Sequence, residues 1–152
     1  MTMEVGQPAP DFALKDQHGQ IVKLSDYAGD RGVAIVFYPF AFSGTCTSEL
    51  CEIRDNLSMF DDGGVQVLAV SADPMYTLRA FADAEGYTFP LLSDFWPHGS
   101  VAKEYGVFNE KSGAALRGTF LVDAKGVLRW QVINQPGEAR DFAAYREAVA
   151  AL

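Results

Sequence analysis

The chain contains the apolar run Val33-Ala34-Ile35-Val36-Phe37-Tyr38, which ends at Pro39. Continuous β-branched and aromatic residues are typical of a strand that is buried on both faces of a sheet. A second segment, from about Gly44 to Phe60, has apolar residues at spacings of three and four, which predicts an amphipathic helix. The sequence therefore predicts a strand, a short loop and a helix, with Cys46 at the start of that helix.

The remaining patterns extend this unit on both sides. Further strands are predicted at residues 12–14, 21–24, 65–71, 89–92, 118–123 and 127–132. Further helices are predicted at residues 75–85, 99–105 and 138–152. Alternating strands and helices, preceded by one hairpin and followed by another, predict an α/β protein. We expect a thioredoxin-like fold, with a mixed central sheet, helices on both faces and an N-terminal β-hairpin.

Length and composition narrow the class of protein. The 152 residues, 49% of them hydrophobic, suit one domain spanning residues 1–152. With 12 basic and 20 acidic residues the net charge is 12 − 20 = −8, which disfavours nucleic acid or an anionic membrane as a partner. No apolar run is long enough to span a bilayer, and no secretory signal is visible. The two cysteines are too few for a disulfide scaffold, so we expect a cytoplasmic protein with reduced thiols.

Cys46 is the residue that points most directly to chemistry. The first turn of a helix presents unpaired N–H groups and a partial positive charge. Both stabilise a thiolate, which is the nucleophilic form of cysteine. The alternative is a cysteine that is buried and inert, which is common in protein cores. No histidine pairs with the cysteines at a metal-binding spacing, and no phosphate-binding loop is visible, so neither a metal nor a cofactor is expected.

The surrounding residues carry a family resemblance. The pattern Pro39-x-x-x-Ser43-x-x-Cys46 resembles the signature of the peroxiredoxins, which stands at this point of a thioredoxin-like fold. Arg117 begins a segment that is similar to the strand with the family's active-site arginine. Other stretches also resemble the family, at residues 6–12, 90–94 and 105–107.

The resemblance implies a role for each of these residues. Cys46 would attack the terminal oxygen of hydrogen peroxide or an organic hydroperoxide and become a sulfenic acid. Ser43 would hydrogen-bond the peroxide or the thiolate, although a serine here is also a natural helix cap. Arg117 would stabilise the thiolate and the developing oxyanion. Pro39 would cover the site and exclude water, besides ending the strand.

Two features of the resemblance point to different branches of the family. Residues 93–99, 105–110, 117–120 and 135–141 look most like the alkyl hydroperoxide reductase E branch. That branch implies one reactive cysteine, a homodimer, and an external thiol reductant such as thioredoxin or mycoredoxin. The spacing Cys46-x-x-x-x-Cys51 instead resembles the bacterioferritin-comigratory (PrxQ) branch, in which the second cysteine resolves the sulfenic acid.

Helix geometry limits what Cys51 can do. Five residues along an ideal helix separate the Cα atoms by roughly 8–9 Å, whereas a disulfide usually needs less than about 7 Å. A bond between Cys46 and Cys51 therefore requires the first helical turn to unwind. Cys51 is either a resolving cysteine or a small residue that packs in the helix, and both readings stay open.

Two other functions are compatible with a thioredoxin-like fold. A disulfide oxidoreductase needs Cys-x-x-Cys, but Glu49 occupies the position of its second cysteine. The other alternative is a protein-binding or holdase module without peroxidase activity. Packing alone does not demand Pro39, Ser43, Cys46 and Arg117 together, which favours the peroxidase.

Overall fold

The predicted strand, loop and helix around Cys46 are all present in a computed structural model of the chain. The structure describes residues 3–134 and 141–152, and of Cys46 it describes the backbone only. The helices are Gly44–Asp55 (α1), Leu57–Asp62 (α2), Met75–Glu85 (α3), Ser100–Glu104 (α4) and Phe142–Ala150 (α5), with a 3-10 helix at Leu24–Tyr27. The strands are Ala13–Lys15 (β1), Ile21–Lys23 (β2), Gly32–Phe37 (β3), Val65–Ser71 (β4), Leu91–Ser93 (β5), Phe108–Asn109 (β6), Ala114–Ala115 (β7), Arg117–Val122 (β8) and Leu128–Asn134 (β9).

A mixed sheet runs through the centre of the fold. Its strand order over the described residues is β2-β1-β5-β4-β3-β8-β9. Strands β3, β4 and β5 are parallel, whereas β8 pairs antiparallel with both β3 and β9. Strand β3 is buried along its whole length, as its continuous apolar sequence predicted. This confirms the predicted α/β class and the thioredoxin-like architecture.

Each face of the sheet carries a hydrophobic core of its own. Alternate residues of a strand point to opposite faces, so Val36 and Tyr38 join one core while Ile35 and Phe37 join the other. The first core includes residues of α1, α2, α3 and α5. The second core includes residues of α4 and of the N-terminal hairpin. Helices therefore cover both faces, and α1 belongs entirely to the first.

The prediction of a single helix at residues 44–60 is wrong in one respect, because the structure has two helices there, α1 and α2. The break falls at Asn56, whose backbone dihedrals of φ −121° and ψ 24° lie outside the helical region. The Asn56 side chain donates a hydrogen bond to the Glu52 carbonyl at 2.8 Å. Such local bonds from asparagine compete with the helical pattern, and they give the break its physical reason.

Other element boundaries differ from the predictions by a few residues. Strands predicted at 12–14 and 89–92 are shifted toward the C-terminus, and the short β6–β7 hairpin was not predicted. The last helix begins at Phe142, after an Asp141 cap that accepts a hydrogen bond from the Ala143 N–H. The first residues of the predicted helix, 138–140, lie outside the described residues. Among the helices that the structure describes, none is long and apolar enough to cross a membrane.

Gly99, the N-cap residue of α4, provides a test of how closely the start of this helix packs against Phe108. Its φ is +70°, and a Cβ atom built there would overlap the Phe108 ring. We expect Gly99→Ala to cost about 1–3 kcal/mol for overpacking, beyond the cost of a left-handed alanine of about 1–2 kcal/mol. Gly126→Ala is the matched control, since Gly126 has a φ of +83° with nothing within 4 Å. Equal losses in urea denaturation of the two variants would contradict the packing argument.

Candidate active site

The residues of the sequence motif lie where β3 leads into α1. Pro39 follows the end of β3 and is half-buried. Ser43 is the N-cap residue of α1, yet its side chain makes no capping hydrogen bond. Cys46 is the third residue of α1, and its side chain lies outside the described part of the structure. Position 46 therefore lies in the first helical turn, among backbone N–H groups that the helix itself leaves unpaired.

The loop between Pro39 and Ser43 is held from a neighbouring strand. The Ala41 N–H donates to Asp73 Oδ2 at 2.8 Å, and the Ser71 hydroxyl donates to the same oxygen at 2.7 Å. Phe42 adopts the left-handed conformation, with φ 68°, which is unfavourable for a bulky side chain. Its ring lies 4.9 Å from that of Phe81, between centroids. The Asp73 carboxylate and the aromatic contact hold the loop in a conformation that it would not adopt alone.

Arg117 meets α1 through a buried ion pair. It is the first residue of β8, and its guanidinium Nη2 donates to Glu49 Oε1. The Arg117 and Glu49 side chains are only 7% and 10% exposed. Residues three apart lie on one face of a helix, so Arg117 approaches the face of α1 on which position 46 lies. Each of these two buried charges is stabilised by the other, because a single unpaired charge at this depth would destabilise the fold.

Pro39 and Arg117 also line a common cavity of about 190 Å³. Asn134 contributes to the same cavity from β9, where it lies opposite Arg117 in register. The Arg117 Nε is buried and has no hydrogen-bond partner among the described residues. The cavity therefore offers a fixed positive charge and an unused donor, which suit a small ligand that is anionic or becomes so.

Cys51 lies one turn further along α1 and is half-buried as a free thiol. Its sulfur is 3.4 Å from Glu85 Oε2 and 3.4 Å from the Tyr87 hydroxyl. Burial raises the pKa of Tyr87, and the hydrogen bond with Cys51 raises it further. Because positions 46 and 51 belong to one continuous helix, no disulfide between them is compatible with the intact first turn.

The structure brings two of the predicted residues, Pro39 and Arg117, to one cavity and places a third, Ser43, at the N-cap of α1. Glu49 and Asp73, which hold the arginine and the loop, were not predicted. Glu49 had a usable signal, since an acidic residue three positions after Cys46 shares its helix face. Asp73 had one as well, because loops that follow neighbouring parallel strands meet at the same edge of the sheet.

Comparisons with known proteins identify the family. The AhpC/TSA family matches residues 5–131 of this chain. The chain is a peroxiredoxin. Alkyl hydroperoxide reductase E of Mycobacterium tuberculosis is 49% identical over 150 residues, which cover 99% of this chain and 98% of that protein. Peroxiredoxin tpx1 of Schizosaccharomyces pombe is 38% identical over 144 residues, which cover 88% of this chain and 73% of that protein.

Solved structures agree with this assignment. The crystal structure of peroxidoxin BcpB from Mycobacterium tuberculosis matches with a TM-score of 0.88 at 30% sequence identity. The match covers 99% of this chain and 98% of that one. Both the predicted family and the predicted similarity to alkyl hydroperoxide reductase E are thus confirmed, and the peroxiredoxin is a thiol-dependent peroxidase. Nothing in these comparisons supports the alternative of a protein-binding module.

Removal of the Glu49 carboxylate tests the buried ion pair of this peroxiredoxin. We expect Glu49→Ala to lower the free energy of unfolding by about 3–5 kcal/mol, because the Arg117 charge is left buried and unpaired. The double variant Glu49→Ala/Arg117→Met removes both charges and should recover most of that loss. Glu52→Ala, at an exposed position of the same helix, is the control. Urea denaturation measures the free energy of unfolding of all three variants. A double variant that is no more stable than Glu49→Ala would show that the unpaired Arg117 charge is not the cause of the loss.

Asp73 offers a second test, directed at the loop. Asp73→Ala removes the acceptor of the Ala41 N–H, and we expect the rate of peroxide reduction to fall about tenfold or more as the loop shifts. Asp73→Asn keeps one oxygen that accepts this bond, so its loss should be clearly smaller. Stopped-flow measurement of peroxide consumption compares the variants. The same rate for Asp73→Ala and the unmodified chain would show that the loop holds its position without Asp73.

Proposed function

We propose that Cys46 is the peroxide-reducing nucleophile of this peroxiredoxin, acting on hydrogen peroxide and organic hydroperoxides. The Cys46 thiolate attacks the terminal peroxide oxygen, and the O–O bond breaks. The hydroxyl stays on sulfur as a sulfenic acid, while the other oxygen leaves and takes up a proton to become water or an alcohol. The position of residue 46 in the first turn of α1 supports this role, since that turn favours an anionic sulfur.

The observation that carries the proposal is the buried Arg117, which lies against the helix face of position 46. A guanidinium presents its positive charge through several N–H donors in a rigid, planar fork. Its Nε lacks a partner among the described residues, so it has a donor to offer the oxyanion that develops as the O–O bond breaks. We assign to Arg117 the stabilisation of that charge.

Ser43 and Pro39 complete the proposed site. The Ser43 hydroxyl makes no capping bond, which supports a role in hydrogen-bonding the peroxide or the thiolate. Pro39 lines the cavity beside Arg117 and has no N–H that would hold water there. We assign to it the exclusion of water from the reacting atoms.

Cys51 is the proposed resolving cysteine. Its thiol attacks the Cys46 sulfenic acid; a disulfide forms, and the hydroxyl leaves as water after taking up the thiol proton. The first turn of α1 must unwind for the sulfur atoms to meet. A dithiol reductant, thioredoxin or mycoredoxin, then supplies two electrons and regenerates both thiols. The small number of cysteines, two, supports a cytoplasmic location, where such reductants act.

A homodimer of the single domain, residues 1–152, is the proposed assembly. Its support is a group of large hydrophobic side chains that are about half exposed or more, namely Phe40, Phe42, Tyr76, Phe95 and Trp96. Exposed aromatic residues in such numbers are typical of protein interfaces.

One equivalent of hydrogen peroxide tests the chemistry. After this treatment of the reduced chain, we expect intact mass to show the loss of two hydrogens and thiol counting to show the loss of both thiols, without linkage between chains. Cys46→Ser should show neither change. A gain of one oxygen at Cys46 would mean that Cys51 does not resolve the sulfenic acid. No change within seconds would remove Cys46 from its proposed role.

A further inference from the structure

Cys51 sits in a small polar pocket formed by Glu85 and Tyr87, neither of which lines the cavity of Pro39 and Arg117. Glu85, at the end of α3, and Tyr87, just beyond it, both contact the Cys51 sulfur at 3.4 Å. With the Tyr87 proton donated elsewhere, the single proton of the Cys51 thiol is shared between two acceptors, the Glu85 carboxylate and the Tyr87 hydroxyl oxygen. Arg54 holds this segment in place by donating to the Glu85 carbonyl oxygen at 2.5 Å. The pocket thus holds the second cysteine in a defined position.

The Tyr87 hydroxyl joins this pocket to the first turn of α1. It donates its one proton to the Thr47 carbonyl at 3.2 Å, next to Cys46 in the chain. In an α-helix that same carbonyl accepts the N–H of the residue four positions later, which here is Cys51. Unwinding the first turn therefore has to break the helical bond to Thr47 and the bond from Tyr87 as well.

The Tyr87 side chain is a rigid anchor for these contacts. It is 5% exposed, and its ring centroid lies 5.2 Å from that of Phe81 and 5.2 Å from that of Phe89. Burial first, and then the contact with Cys51, raise the pKa of the phenol, so it remains a donor at physiological pH. When α1 unwinds, the helix must move away from a hydroxyl that stays where it is.

We propose that Tyr87 is a positioning residue for the resolving step, a latch that holds the first turn of α1 and Cys51 together. Its contacts with Thr47 and Cys51 belong to the wound helix, so they stabilise the state in which the two sulfur atoms cannot meet. Tyr87 thereby sets the rate at which the Cys51 thiol reaches the Cys46 sulfenic acid to form the disulfide and release water. This role rests on the proposed function of Cys51.

Tyr87→Phe tests the latch, because it keeps the buried ring and removes only the hydroxyl. After a peroxide pulse and rapid acid quench, mass analysis follows the sulfenic acid and the disulfide separately. We expect disulfide formation to be roughly three- to tenfold faster, the factor that one net hydrogen bond represents. Formation of the sulfenic acid should be unchanged. Tyr105→Phe is the matched control, since it removes a buried hydroxyl that donates to the Pro10 carbonyl at 2.6 Å, on the other face of the sheet.

A second readout does not depend on the disulfide. In a Cys46→Ser background, the rate at which maleimide labels Cys51 reports how often α1 opens, and Tyr87→Phe should raise it by a similar factor. Disulfide formation and labelling that are unchanged or slower in Tyr87→Phe would overturn the latch while leaving Cys51 as the resolving cysteine. A gain of one oxygen without a disulfide in the unmodified chain would overturn the resolving role, and the latch with it.

Discussion

The ion pair between Arg117 and Glu49 is the contact on which the arrangement of the site depends. It joins the first residue of β8 to α1, two elements that are 68 residues apart in the chain. Neither charge is stable in this setting without the other, so the pair fixes the helix relative to the sheet. Arginine has five N–H donors in a rigid fork, and the bond to Glu49 leaves others for the cavity beside Pro39. One side chain thus meets a structural need and an electrostatic one.

The elements whose limits were predicted correctly are those with residues at their ends that favour starting or stopping a helix or strand. The limits of β4 and α3 agree with the predictions at both ends. Helix α3 begins directly after Pro74, whose missing N–H and fixed φ suit a helix N-terminus, and it ends at Gly86, whose φ of 70° suits glycine. Asn56 carries no comparable signal, because asparagine is tolerated in helices and breaks them only in some contexts. The two-residue strands β6 and β7 are too short to show any period.

The site divides in a similar way. Pro39, Ser43 and Cys46 are neighbours in the chain, so a sequence pattern can place them together. Asp73 reaches the loop across 32 residues, and Tyr87 reaches Thr47 across 40. These partners come together only through the pairing of β3 with β4 and the packing of α3, which a single sequence does not state. Arg117 was found through family resemblance, since its strand alone does not mark it as part of a site.

The sheet that separates the two cores also separates two surfaces of the molecule, one on the side of α1 and one on the side of α4 and the N-terminal hairpin. Both cysteines lie on α1, which packs in the first core, while α4 and the N-terminal hairpin pack in the second. If the proposed disulfide between Cys46 and Cys51 forms, the unwinding of α1 changes the surface on the first side, whereas the second core keeps its own contacts with the sheet. A protein that binds the α1 side would then meet different surfaces in the reduced and the disulfide-bonded chain. A protein that binds the opposite side would meet the same surface in both.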